Sequence, residues 1–406
     1  MKMRKYVVSV LTAAIVILIC LGVRCRMQTD DTKVLKIGFI YNGDYSNAYS
    51  ANFMKAQQDI EEKFGDRVET VSKYNVTDSL DRNDIQSALD DLVTQNCDLI
   101  FATSYSYQDC VKKYATKYPD IQFCMATGDN TNTGKIIPNY HTFMGRIYEG
   151  RYTCGVVAGM KLKELIDKGE LTEDEALLGY VGAFPYAEVI SGYTAYYLGA
   201  ASVVPGVKMK VCYTNSWSDY TLEKKYAKRL IEEGCIIISQ HSDTAGVATA
   251  CEKTDSSVNV FAISYNKGMS DVAPTTYLTG CRINWSPYMC SAVDAMLRGK
   301  EIEAVVSGSV QGKDVGAGFD HDWVSMLEIN ELIAAPGTKE KVERTIKQFK
   351  KHELHVFKGS YKGVNPDNPL DTIDLAEEYV ENANRSAPTF RYVLEDVIEI
   401  MQWDDK

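Results

Sequence analysis

Histidine is scarce, with five among 406 residues, and no two cysteines stand in a Cys-x-x-Cys spacing, so the usual ligand pattern of a structural zinc site is missing. A Walker loop and a Gly-x-Ser-x-Gly elbow are absent as well. Gly316-Ala-Gly318 runs on into Phe-Asp-His where a dinucleotide loop needs a third glycine. Basic charge is in the minority: 44 Lys and Arg against 55 Asp and Glu leave a net charge of −11, against the basic face of a nucleic-acid binder. His352 and His355 stand one helical turn apart but lack a third ligand, and fit a solvated helix end. His241-Ser-Asp-Thr244 offers base, hydroxyl and carboxylate, yet residues so close on a strand-to-helix turn point in different directions. They suit a ligand or a helix cap better. No cofactor, no metal and no catalytic role is expected.

Long apolar runs are also lacking, with one exception. Met-Lys-Met-Arg-Lys is followed by an uncharged stretch from Tyr6 to Val23, the pattern of a basic n-region and an apolar h-region, so residues 1–33 read as a signal peptide or membrane anchor. Cys20 follows Ile19 and Cys25 follows Arg24, neither a good lipidation box, which leaves a lipoprotein and an uncleaved signal anchor both open. Either way the rest of the chain is expected outside the cytoplasm, on the outer face of the cell membrane.

The remaining composition, 45% hydrophobic and 24% charged, is that of a globular protein long enough for two domains. Eleven cysteines is an odd number, and Cys97, Cys124, Cys235 and Cys281 lie in or beside apolar runs, where a thiol behaves as a small hydrophobe. They read as core residues.

One unit occurs twice along the chain. A strand from Val34 to Ile40 leads into a polar, aromatic loop, a helix and a strand near Val68 to Tyr74. A helix carrying Ile85, Leu89 and Leu92 then ends at Asn96, followed by a buried strand, Asp98 to Thr103, another helix, and a strand from Ile121 to Thr127. The second half repeats the order with strands Leu177 to Ala183, Val207 to Tyr213 and Val258 to Ser264. Placing Cys97 on Cys235 aligns Leu92 with Leu230, Val93 with Ile231, Leu99 with Ile237, Ile100 with Ile238 and Ser104 with Ser242. Strand-helix alternation in two runs predicts an α/β protein of two doubly wound parallel-sheet lobes, with ligand beyond the carboxyl ends of the strands.

Further elements are expected at Leu278 to Asn284 (strand), Trp285 to Leu297 (helix), Val305 to Val310 (strand), and Trp323 to Leu332 and Lys339 to Phe349 (helices on the second lobe). Crossovers are expected near Phe143 to Tyr148, Asn284, and Gly312 to Gly318. The first lobe then comprises residues 34–145 and 285–312, the second 146–284 and 313–406.

Tyr148-Glu-Gly-Arg-Tyr-Thr-Cys-Gly-Val-Val-Ala-Gly159 and Gly179-Tyr-Val-Gly-Ala-Phe-Pro185 resemble the basic membrane protein family of ABC-importer solute-binding lipoproteins. Gly199 to Pro205, Trp217-Ser-Asp219, Ser239-Gln-His-Ser-Asp-Thr244 and Leu278 to Tyr288 follow in the family's order, and Val356-Phe-Lys-Gly359 is similar to its late hairpin. The resemblance implies a two-lobed fold like that of type I periplasmic-binding proteins, a purine base or nucleoside as ligand and an ABC permease as partner; a monomer is expected. A flat ring would be clamped by aromatic side chains, for which Tyr45, Tyr49, Tyr105, Phe184, Trp217 and Trp285 are candidates, while Asn47, Gln240, His241, Asp243 and Asn266 could read its edge or a ribose. With 26 tyrosines, packing competes with ligand contact at each, and Trp285 could instead pin the hinge. The loop Asp44-Tyr-Ser-Asn-Ala-Tyr49 departs from the acidic, Phe-containing loop of nucleoside-binding members, which favours a free base such as adenine. A ligand-sensing receptor ectodomain and a nucleoside-processing enzyme are the competing readings.

Overall fold

The computed structural model describes residues 34–77, 83–381 and 385–403; the expected signal or anchor segment lies outside them. Among the described residues no helix is long and apolar enough to cross a membrane. In chain order the first run is β1 (Leu35–Ile40), α1 (Ala48–Phe64), β2 (Val68–Lys73), α2 (Asn83–Thr94), β3 (Leu99–Ala102), α3 (Gln108–Lys117), β4 (Gln122–Ala126) and β5 (Tyr140–Gly145). The second is α4 (Ile147–Asp167), β6 (Leu177–Gly182), α5 (Ala187–Ala201), β7 (Lys208–Tyr213), α6 (Tyr220–Glu232), β8 (Ile237–His241), α7 (Gly246–Glu252), β9 (Phe261–Tyr265) and β10 (Tyr277–Ile283). After these come α8 (Ser286–Leu297), β11 (Ser309–Gln311), β12 (Asp314–Ala317), β13 (Val324–Met326) and α9 (Thr338–Lys350), then β14 (Lys362–Asn365), β15 (Asn368–Asp374), β16 (Val393–Leu394) and β17 (Ile398–Ile400).

Two seven-stranded sheets form the lobes, in the orders β11-β12-β5-β4-β3-β1-β2 and β13-β10-β9-β8-β6-β7-β17. The short edge strands β11 and β13 run antiparallel to their neighbours; every other pair is parallel. Helices cover both faces of such sheets, which is why the central strands are buried along nearly their whole length instead of alternating. The Cys97 and Cys235 repeat recurs at atomic detail: Cys97 N–H donates to Leu92 O (3.2 Å) and Cys235 N–H to Leu230 O (3.0 Å). In each case the residue just before is left-handed, Asn96 with φ 59° and Gly234 with φ 89°, so both helices end in the same αL cap. Among the described residues nine cysteines are buried free thiols, Cys97, Cys124, Cys235 and Cys281 among them.

The chain crosses between lobes three times. After β5 it enters α4, which packs on α5 and β10 in the second lobe; after β10, at Asn284 and Trp285, it returns to α8 beside α1. The third crossover lies later than the expected boundary at residue 312, because β12 pairs with β5 and belongs to the first sheet, and the chain leaves only at Gly318. Three further expectations are corrected. Trp323 to Leu332 is not a helix: Val324–Met326 pairs with β10, and Leu327 N–H donates to Gly280 O (2.8 Å), so tertiary pairing overrides a helical pattern. Val305 to Val310 yields a strand only from Ser309, where a tight turn at Gly312 (φ 62°) folds it onto β12. The late hairpin is formed by β14 and β15, downstream of Val356 to Gly359.

Candidate functional site

The carboxyl ends of the strands in both sheets face one cleft, as open α/β topology dictates. From the first lobe, Asn42 follows β1, Ser104 and Tyr105 follow β3, and Thr127 follows β4; Tyr49 reaches in from α1. From the second, Glu188 lies in the first turn of α5, Trp217 in the loop after β7, Asp243 after β8 and Tyr265 at the end of β9. Together they line a cleft with about 420 Å³ of space not filled by atoms, part of it open to solvent.

Each wall is held by named contacts. Tyr49 Oη donates to Thr103 O (2.5 Å), fixing its ring against the loop after β3. Asp243 N–H donates to Trp217 O (2.8 Å), joining two second-lobe loops. Asn266 Nδ2 donates to Asp243 Oδ1 (3.2 Å) and its Oδ1 accepts from Asn52 Nδ2 (3.0 Å), so the buried amide links the Asp243 carboxylate to α1 of the other lobe. Thr127 is β-branched and yet left-handed, with φ 60°, a conformation that persists only where its surroundings impose it. Its hydroxyl is buried, in a residue that lines the cleft, and has no hydrogen-bond partner among the described residues.

Under the floor lies a buried charge. Arg151 is fully buried, its guanidinium 4.0 Å from the centre of the Tyr265 ring, with Nη1 donating to Gln240 O (2.8 Å) and the other two nitrogens without a hydrogen-bond partner among the described residues. His241, edge-on to Tyr265 at 4.6 Å, is driven well below the ordinary histidine range by burial and by the Arg151 charge, so it is a neutral ring. Its Nε2 lies 3.4 Å from Glu188 Oε1. Burial pushes the Glu188 carboxyl up to about 7 despite the opposing pull of Arg151. The cleft thus offers aromatic faces, two carboxyl groups of different character, and an unpaired hydroxyl: equipment for gripping a planar polar molecule. Among the described residues no group of three or more His, Cys, Asp or Glu could hold a metal ion.

Tyr49, Tyr105, Trp217 and Asp243 of the expected set line the cavity. Phe184 stands just outside, stacked on Tyr186 (5.1 Å) and 5.6 Å from Trp217. Tyr45 is 60% exposed. The others do not line it, for identifiable reasons. Asn47 caps α1, accepting from Ser50 N–H. Gln240 is turned inward, its Nε2 donating to Ser242 O and Thr244 O. His241 and Asn266 form the layer behind Glu188 and Asp243. Trp285 is buried in the first lobe, stacked on Phe53 at 4.3 Å and edge-on to Phe143. Sequence reasoning missed Asn42, Ser104, Thr127, Glu188 and Tyr265. Asn42, Ser104 and Tyr265 carried a signal, since each lies within two residues of the end of an expected strand, and Thr127 is the last residue of one; Glu188 carried none.

Residues 34–356 match the family described as ABC transporter substrate-binding protein PnrA-like. This chain belongs to that family. Among its relatives, a purine-binding protein of Brucella abortus is 32% identical over 81% of this chain and 84% of its own. A putative ABC transporter glucose-binding protein of Haloferax volcanii is 30% identical over 75% and 69%, and basic membrane protein A of Borreliella burgdorferi 23% over 86% and 100%. Solved structures agree in fold: an ABC transporter solute-binding protein from Conexibacter woesei superposes with a TM-score of 0.61 at 17% identity, covering 79% of this chain and 98% of that one. One from Aeropyrum pernix gives 0.62 at 14%, covering 82% and 94%. PnrA-like proteins are substrate-binding components of ABC transporters.

Proposed function

We propose that this chain is the extracytoplasmic ligand-binding component of an ABC importer and that it closes on a purine base such as adenine, or on a purine nucleoside. The observation that carries the reading is the cleft itself, where Trp217, Tyr105, Tyr49 and Tyr265 supply ring faces and Asp243 and Glu188 supply edge groups. A purine is flat and polarisable, so stacking supplies affinity while carboxyl groups select among its nitrogens. The purine-binding relative from Brucella abortus supports the same ligand class. The closed form would dock on the permease, and residues 1–33 would hold the protein at the outer face of the membrane, by lipid or by anchor helix.

Calorimetric titration of residues 34–406 with adenine, guanine, hypoxanthine and their nucleosides tests the ligand; absence of heat with every purine rejects it. The glucose-binding relative from Haloferax volcanii favours a second reading, a sugar stacked on the same rings. Glucose in the same titration separates the two. Incubation with inosine or adenosine should release no free base.

A further inference from the structure

Residues 357–381 and 385–403 lie beyond the stretch matched to the PnrA-like family, and several contacts tie them to the second lobe. Phe357 packs on Tyr148 of α4 and Tyr361 on Tyr197 of α5. The small sheet β15-β14-β16 follows, and β17 extends the second sheet by pairing with β7. Between β15 and β16, however, the chain turns to the other lobe. Ser386 donates its N–H (2.6 Å) and its hydroxyl (2.5 Å) to the carboxylate of Asp314 at the start of β12. Arg385 Nη1 donates to Asp129 Oδ2 (2.8 Å) in the loop after β4. Immediately afterwards Thr389 and Phe390 N–H donate to Glu381 (2.7 and 2.8 Å), and Phe390 stacks on Phe357 (4.3 Å), back on the second-lobe side.

These contacts sit at the mouth of the cleft. An outer chamber with about 900 Å³ of unfilled space shares Tyr105, Thr127, Glu188 and Trp217 with the inner cavity. Arg385, Ala387 and Pro388 line it together with Pro185 and Tyr186 of the second lobe. Asp129 connects the two, since its Oδ2 also accepts from Tyr105 Oη (3.4 Å). We propose that residues 385–388 form a strap that completes the ligand cleft and holds the lobes together, with Arg385 a positioning residue that sets the cavity-lining Tyr105 through Asp129.

The strap is anchored on one lobe and hydrogen-bonded to the other, so opening the cleft must break the Ser386 and Arg385 contacts or drag the strap along. Asp314 is buried, and with Ser386 removed its carboxylate keeps Thr142 Oγ1 (2.9 Å) as its side-chain partner. Leaving a buried carboxylate short of donors is unfavourable, which gives the strapped state its bias. The strap therefore acts chiefly on ligand release, because it must let go before the mouth opens.

The proposal rests on the ligand occupying this cleft, and the test separates the two. In the full chain without ligand, Arg385→Ala and Ser386→Ala should enlarge the radius of gyration in small-angle scattering and speed amide exchange over residues 127–130 and 184–188. With adenine or adenosine as probe, Arg385→Ala should raise the dissociation rate roughly tenfold while leaving association unchanged or faster, and Arg385→Lys should restore part of the loss. Loss of packing alone would lower the melting temperature without splitting the two rates. Asp129→Asn breaks the same pair from the first lobe and serves if Arg385→Ala misfolds. Folded variants with wild-type scattering, exchange and release rate overturn the strap. If the wild type takes up no purine, the ligand reading fails, and scattering and exchange still decide the strap.

Discussion

At the scale of single residues, the cleft divides its work between stacking and edge recognition. The main chain at Trp217 is held by its own carbonyl, which accepts from Asp243 N–H. Trp217→Ala should weaken purine binding by about 1–3 kcal/mol, the worth of one base stacked on an aromatic ring, as read by calorimetry on a folded variant. Glu188 has a different task. With its carboxyl pushed up to about 7 by burial, it is largely protonated below that pH and can donate to a ring nitrogen. Affinity should then fall as pH rises through about 7, by up to about tenfold per unit, and Glu188→Gln should flatten the profile. The same shift bears on stability: the unfolded carboxyl ionises first, so the native chain binds the extra proton and loses stability as pH rises from the ordinary carboxylate range through about 7. Thermal melts of the unliganded protein at pH 5 and pH 8 should show that loss reduced in Glu188→Gln.

At the scale of elements, three glycines of the family-like motifs, Gly155, Gly159 and Gly199, are explained by one helix crossing. A Cβ on Gly155 of α4 would overlap the carbonyl oxygen of Tyr196 on α5, and a Cβ on Gly199 of α5 would overlap that of Tyr152 on α4. The two backbones meet at reciprocal glycines, and no side chain gives way because the obstruction is main chain. Gly155→Ala or Gly199→Ala should destabilise the fold by about 3 kcal/mol or more, at or beyond the upper end of overpacking, seen as a lowered urea midpoint. These helices bury nearly every face, which explains why their sequences show little amphipathic periodicity.

At the scale of the whole molecule, three crossovers and the Asn52 to Asn266 hydrogen bond link lobes that must move relative to each other. Trp285 sits beside the second crossover, stacked on Phe53. Trp285→Ala should cost about 3–5 kcal/mol of stability through the cavity it leaves, with the ligand preference order unchanged in calorimetry. Ligand should stabilise the closed form by mass action, about 2.7 kcal/mol at a hundred times the dissociation constant, measurable as a rise in melting temperature. Two fluorophores, one per lobe, should draw together in the same titration.

The sequence by itself determined the two parallel-sheet lobes, their internal repeat and the family, because strand-helix alternation and the Cys97 and Cys235 alignment are local patterns set by backbone periodicity and burial. It also singled out Trp217 and Asp243, which directly follow strands within family-like motifs. Only the tertiary structure decided which side chains meet. Trp285, Gln240 and His241 carry the right chemistry but turn inward, since neighbouring elements fill the space around them. Glu188 and Thr127 acquire their character from burial and from a backbone conformation that no local pattern announces. The strap is the extreme case: Arg385 and Ser386 find Asp129 and Asp314 across 256 and 72 residues of chain. Such long-range pairings are enforced by the packing of whole elements, and nothing in the local sequence encodes them.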